Sequence, residues 1–315
     1  MSQGTRELKR RIKSIGNTKK ITKAMEMVAA AKMRKAVSNV TATRDYANLA
    51  WVTVLNLANN TDQSLHPLLQ KREVKKVAVI LVSSNRGLCG AFNHNIAKKV
   101  IDSIKKHEKQ VEHEIITMGT KGRDILMSEG YKVDADFIKQ DLTLSAAEVS
   151  SLARMLISGY QEGKYDKVMV AYTDFVSSIK QVPRVKQLLP LEADQDGYLG
   201  VVGKSENVKT TMEFIKEKQG KYSSDGQFTY EYLFEPNAEM VLEQMLPRLI
   251  EVQLYQATLE SDASEHSSRM MSMRNASDAA YDMISDLTLI FNQARQASIT
   301  QEIAEISSGK AALDK

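Results

Sequence analysis

The residues closest to a recognisable chemical site are Arg86, Gly87, Leu88, Cys89 and Gly90, which follow the apolar run 77–82 and precede a helical stretch at about 91–109. A glycine-bearing turn between strand and helix can bring backbone amides up to a phosphate. The spacing is not that of the dinucleotide fingerprint, and no G-x-x-x-x-G-K-[ST] loop occurs in the chain. The turn therefore reads as a tight structural connection. Metal and nucleophile chemistry fare no better. Cys89 is the single cysteine, and His94, His107, His113 and His266 form no H-x-x-x-H or C-x-x-C arrangement. A G-x-S-x-G elbow is also missing. The expectation is a chain without catalytic residues, bound cofactor or metal.

The elements around that turn form a regular series. Residues 77–82, 114–118 and 167–172 suit buried strands, and helices are expected near 121–128 and 145–162. Strands alternating with helices imply a mainly parallel sheet in a Rossmann-like α/β domain. Residues 185–189 and 228–234 would add edge or hairpin strands. Between those two, 192–226 is rich in Asp, Glu, Lys, Gly and Ser and reads as a polar insertion or loop, with room for one short helix at 211–218. The central domain is placed at 74–234.

The ends differ from the middle. The five prolines stand at 67, 183, 190, 236 and 247, which leaves the first 66 residues free of helix breakers. Steps of four and three from Met245 reach Leu249, Val252, Leu259, Ala263, Met270, Met273, Ala280, Ile284, Leu287, Phe291 and Ala294, with polar residues only at Gln256, His266, Ser277 and Ser298. A repeat of 3.5 sustained this long predicts a coiled-coil seam. A helix from Pro247 to Ser307 would be roughly 90 Å long. At the N-terminus the same count passes Leu8, Ile12 and Ile15, fails at Lys19, Thr22 and Glu26, and resumes at Ala29, Met33, Ala36 and Val40. Through the gap the apolar stripe moves to Ile21, Met25 and Val28, so the helix is expected to continue while its seam rotates. The organisation expected is a coiled-coil helix at 1–60, another at 237–307, and a tail at 308–315.

Charge favours pairing of the two. Residues 1–35 carry eleven Lys/Arg against Glu7 and Glu26, whereas 236–306 carry eleven Asp/Glu against Arg248, Arg269, Arg274 and Arg295. Opposite signs select partner and register although each exposed pair contributes little. The simplest arrangement is antiparallel. Composition, with 26% charged residues in 315, describes a chain able to bury a full core. No apolar run reaches about 18 residues, and neither an apolar signal core nor a transit segment opens the sequence. A single cysteine excludes an internal disulfide and fits a reducing compartment.

Two kinds of function suit these features. One is a mechanical scaffold whose coiled coil is gripped by a larger partner while the α/β domain docks others. The other is a nucleic-acid-associated coiled coil whose basic first helix meets phosphates. Against the second, the first 35 residues contain no aromatic side chain to stack on bases.

Three segments carry a resemblance: ITKAMEMVAAAKMR at 21–34, SNRGLCGAFN at 84–93 and ARQASITQEIAEI at 294–306. With LLP at 188–190, FEP at 234–236 and ASEHSSRMMSMRNASD at 263–278, they make the whole chain resemble the gamma subunit of F-type ATP synthases. The resemblance implies a non-catalytic rotor shaft that couples proton flow through a membrane c-ring to conformational change at catalytic beta subunits. It implies as partners three alpha and three beta subunits, the epsilon subunit and the c-ring, with no nucleic acid, at the cytoplasmic face of a bacterial membrane. It also gives residues roles. Met25, Arg295 and Gln296 match positions that contact the beta subunit and carry torque. Ala297, Ile299, Ile303 and Ile306 would line an apolar sleeve contact, and Arg86, Gly87, Leu88, Cys89 and Gly90 a turn near the c-ring and epsilon. With Cys89 alone, dithiol control of the kind seen in plastid relatives is excluded.

Overall fold

The computed structural model describes residues 3–60, 66–70, 72–107, 111–143, 145–191 and 238–313. They divide into two compact units, Met1–Ala29 with Arg269–Lys315, and Ala30–Ser268. Two helices contribute to both, α1 (Gln3–Asn60) and α5 (Ala238–Leu313). The expected strand at 228–234, the helix at 211–218 and the insertion at 192–226 lie outside the described residues.

Unit Ala30–Ser268 holds the sheet. Its strands are β1 (Lys76–Val82), β2 (Glu112–Met118), β3 (Ala135–Phe137), β4 (Lys167–Phe175) and β5 (Gln181–Leu189), in the order β3-β2-β1-β4-β5. β1 pairs in parallel with β2 and β4, β2 in parallel with β3, and β5 closes the edge antiparallel to β4. Helices α2 (Phe92–His107), α3 (Thr120–Ser128) and α4 (Ala147–Gln161) connect them. Alternation along β1 decides which helix covers which face. Val77, Val79 and Leu81 pack with Ile96, Val100 and Ile104 of α2 and Leu126 of α3. Ala78, Ile80 and Val82 point the other way, onto Leu152, Leu156 and Tyr160 of α4 and Leu246, Ile250 and Leu254 of α5. Each such buried Val, Leu or Ile side chain contributes about 1.5–3 kcal/mol, and α5 thus forms part of the sheet's own core.

Several sequence expectations need correction here. β3 was not foreseen, because three residues show no periodicity; it is held by pairing with Ile116–Met118 and by Thr117 Oγ1, which donates to Asp136 Oδ1 at 2.7 Å. The last helix begins at Ala238, so Pro247 lies inside it. Proline removes a backbone donor there at a cost of about 3 kcal/mol, offset by burial of Leu246, Leu249 and Ile250 around it. Nor does that helix end at 307, since it continues through the expected tail to Leu313.

In unit Met1–Ala29 with Arg269–Lys315, the two helices pair along one seam. On α1 it comprises Thr5, Leu8, Ile12, Ile15, Lys19, Thr22, Glu26 and Ala29, all buried or half-buried. On α5 Met273, Ser277 and Ala280 are buried, and Ile284, Leu287, Phe291, Ala294 and Ser298 half-buried. The expected rotation of the seam around Met25 does not occur. Ile21 is 60% and Val28 55% exposed, while Thr22 is only 9% exposed. Polar residues hold the seam because their groups are satisfied in place. Lys19 Nζ lies over the Tyr281 ring, and the Thr22 hydroxyl donates to the Lys19 carbonyl at 3.1 Å.

Candidate functional site

Within unit Ala30–Ser268, residues 252–267 of α5 are buried on every side, an unusual state for a run containing Gln253, Gln256, Glu260, Asp262, Glu265 and His266. The connection after β3, residues 138–143, explains part of it. Lys139 Nζ reaches Asp262 Oδ1 at 2.6 Å and Glu265 Oε2 at 2.8 Å, with all three side chains sealed from solvent. Burial alone would lower the Lys139 pKa, but the two carboxylates raise it well above the ordinary value, so it stays charged. The Thr143 amide donates to Asp262 Oδ2 at 2.8 Å, His266 Nε2 lies 2.9 Å from the Asp141 carbonyl, and Asp141 pairs with Lys32 of α1. One short segment is thereby tied to both long helices. From the other side, Ser264 donates to the Thr173 carbonyl and Ser267 to the Ser178 carbonyl, at 3.0 and 2.7 Å.

A second buried acidic group lies one turn earlier on α5. Glu260 is fully buried, with Gln256 Nε2 at 3.5 Å from its Oε1, and shares its surroundings with Asp174 at the end of β4. Burial first, and then Asp174, push the Glu260 carboxyl far up; burial likewise raises Asp174 despite its 2.7 Å contact with Arg184. The Lys186 amine is lowered to about 8, by burial and then by Arg184. Like-charged carboxyls in a dry site favour sharing a proton.

The glycine turn is occupied by its own side chains. Leu88 and Gly90 have φ of 62° and 58°, which Gly90 adopts without strain. Asn93 Oδ1 accepts from the Ser84 amide at 3.0 Å, and Asn93 Nδ2 donates to Ser84 Oγ at 2.7 Å and faces Cys89 Sγ at 3.3 Å. The Ser84 amide that a phosphate would need already has its acceptor. Asn85 Nδ2 donates to the Lys139 carbonyl at 2.7 Å, which joins this turn to the 138–143 segment. Among the described residues no cluster of three or more His, Cys, Asp or Glu is arranged to hold a metal.

Of the residues expected to meet partners, Met25, Arg295, Gln296, Ala297, Ile299, Ile303 and Ile306 belong to unit Met1–Ala29 with Arg269–Lys315, and the turn 86–90 to unit Ala30–Ser268. Met25 is half-buried on the flank of the seam, and Arg295, Gln296 and Ala297 are exposed. The seam ends at Ser298; from 299 to 308 every residue of α5 is exposed, including Ile299, Ile303 and Ile306. Arg86, Gly87 and Leu88 face solvent, while Cys89 is buried.

A family model described as ATP synthase matches residues 4–313. The ATP synthase gamma chain of Herpetosiphon aurantiacus is 41% identical over 319 residues, covering 98% of this chain and 99% of the relative. The chain belongs to the ATP synthase gamma-chain family. The gamma chain of Cupriavidus necator is 38% identical over 311 residues, with 98% and 99% covered. Among solved structures, the Tetrahymena thermophila mitochondrial ATP synthase central stalk and c-ring holds a chain that is 24% identical at a TM-score of 0.58, covering 82% of this chain and 99% of that one. A chain of the Euglena gracilis mitochondrial enzyme reaches 0.62 at 16% identity, covering 98% and 94%. At these identities they establish a shared fold.

For this gamma-family chain the sequence reading missed Lys32, Lys139, Asp141, Asp262 and Glu265. The available signal was the polar run Glu260–Ser267 inside an apolar repeat, where His266 broke the heptad. No spacing rule connects Lys139 to carboxylates more than 120 positions away.

Proposed function

We propose that the chain turns as the central shaft of an F-type ATP synthase, coupling rotation of a membrane c-ring to successive conformational changes of the catalytic beta subunits. The observation that carries this reading, beside gamma-chain kinship, is that the paired seam ends at Ser298 while α5 runs on with every residue exposed to 308. Pairing gives bending stiffness. The solitary end presents Ile299, Ile303 and Ile306, with Ala297 on the last paired turn before it, to an apolar sleeve formed by the alpha and beta subunits, a surface without fixed hydrogen bonds that lets the shaft turn.

Arg295 and Gln296, exposed just before the seam ends, serve as an orientation-dependent latch to a beta subunit, for which a planar guanidinium is suited. Met25 contributes a second beta contact from the flank of the seam, beside the exposed Ile21 and Val28. The exposed Leu88 supports a partner contact at the turn 86–90. The chain is non-catalytic, and its place is the cytoplasmic face of the membrane with the epsilon subunit and c-ring below; no described helix is long and apolar enough to cross a membrane.

Co-expression with the alpha and beta subunits tests the reading. The expected complex holds one copy of this chain per three of each, and a one-to-one ratio would overturn it.

A further inference from the structure

Within unit Ala30–Ser268 the sheet domain and α5 share an apolar core. Apolar contact is strong but non-directional, so it resists separation better than it resists sliding. The 138–143 segment supplies what that core lacks. We propose that Lys139, Asp262 and Glu265 form an ionic key that fixes the sheet domain to α5 against shear, so that torque passes between them without slip; this rests on the shaft reading above.

The geometry suits a key. Asp262 and Glu265, three positions apart, share one face of the helix, and a single ammonium is caught between them at 2.6 and 2.8 Å. Charge-assisted bonds of this length are directional and gain strength in a dry interior. The Thr143 amide on Asp262, the Asp141 carbonyl facing His266, and the Asp141 pair with Lys32 fix the same segment at further points. Asn85 carries the linkage to the ends of β1 and β2, donating to the Lys139 carbonyl and accepting from the Thr120 amide at 3.3 Å. A buried ion cluster is a poor means of stabilisation, since apolar groups of equal volume commonly do as well. Its use here is accounted for by orientation.

The test is made in the whole ATP synthase reconstituted in vesicles, measuring protons pumped per ATP hydrolysed against an imposed proton gradient. The variant K139M/D262N/E265Q removes every charge of the key at nearly constant volume and leaves the Thr143 amide an acceptor. Its unloaded hydrolysis should match the parent, whereas the loaded pumping ratio should fall by about twofold or more, as the buried pairs no longer resist sliding. A purely structural role would reduce the amount of complex, lowering hydrolysis and pumping together with the ratio unchanged. Glu265→Gln alone keeps the balanced Lys139–Asp262 pair, folds without an unpaired charge, and should give an intermediate ratio. An unchanged loaded ratio in Glu265→Gln, and in the triple variant where it assembles, overturns the key. A parent complex that lacks this chain or cannot pump at all overturns the shaft reading instead.

Discussion

Lys19 Nζ stands 4.4 Å from the centre of the Tyr281 ring, a cation–ring contact across the rim of the α1–α5 seam, where Tyr281 is 60% exposed. The ring face compensates the charge where an apolar partner would not. A polar residue at one seam position selects register at some expense in stability. The lysine thus acts as a pin in an otherwise repetitive interface.

Lys19→Leu should therefore raise the stability of the purified chain by about 1 kcal/mol, while Tyr281→Ala should lower it by about 0.5–1 kcal/mol. Urea melts of the two variants check both signs. The reverse order would mean that the pair is not part of the seam in solution.

The Glu260 and Asp174 carboxyls are both pushed up on folding, from ordinary values of 4.5 and 3.8. The folded state then holds protons that the unfolded chain has released, so their contribution is fully present below the unfolded values and is lost as pH rises toward neutrality. Lys186, lowered to about 8, acts oppositely: folding is penalised below that value and relieved between it and 10.5. Glu260→Gln removes the more deeply buried of the two carboxyls. The variant should gain stability relative to the parent as pH increases from about 5 to 8, the difference nearly vanishing at the acid end. Paired urea melts across that interval decide it; a constant difference would show that Glu260 does not titrate on folding.

Much of the fold could be read from periodicity. The run at 77–82 and the 3.5 repeat from Met245 each reflect a surface that must be buried, and burial is what those patterns encode. Lys19 and Thr22 misled because a polar residue was equated with the outside; their groups are satisfied by a ring and a backbone carbonyl, neither visible as a spacing. Pro247 is tolerated inside α5 for a related reason, since packing of Leu246, Leu249 and Ile250 outweighs a local preference. The key at Lys139 was illegible because its partners are adjacent only after the sheet is built.

Glycine at 122 is required by contact and not by backbone angle. A Cβ there would meet Ser83 Oγ at 2.5 Å, Ser83 Cβ at 2.7 Å and Leu81 Cδ2 at 2.8 Å, whereas one on Gly87 would meet nothing within 4 Å. Gly122→Ala should destabilise the chain by about 1–3 kcal/mol as α3 is forced off β1. Gly87→Ala should change stability by less than about 0.5 kcal/mol. Thermal melts of the pair separate close packing from mere membership of a glycine-rich turn.

Ile284 and Ile303 lie on the same helix but in different surroundings, half-buried in the seam and 61% exposed beyond it. Ile284→Asp places a charge in the α1–α5 contact and should cost the isolated chain about 1–3 kcal/mol. Ile303→Asp should leave its melting curve within about 0.5 kcal/mol of the parent. In the assembled complex the ranking changes, because a sleeve of alpha and beta subunits would have to desolvate the new carboxylate. Ile303→Asp should then reduce ATP synthesis severalfold with normal chain stability. Equal destabilisation of the isolated chain by both substitutions would mean that α5 is paired beyond Ser298, and the solitary, turning end would have to be given up.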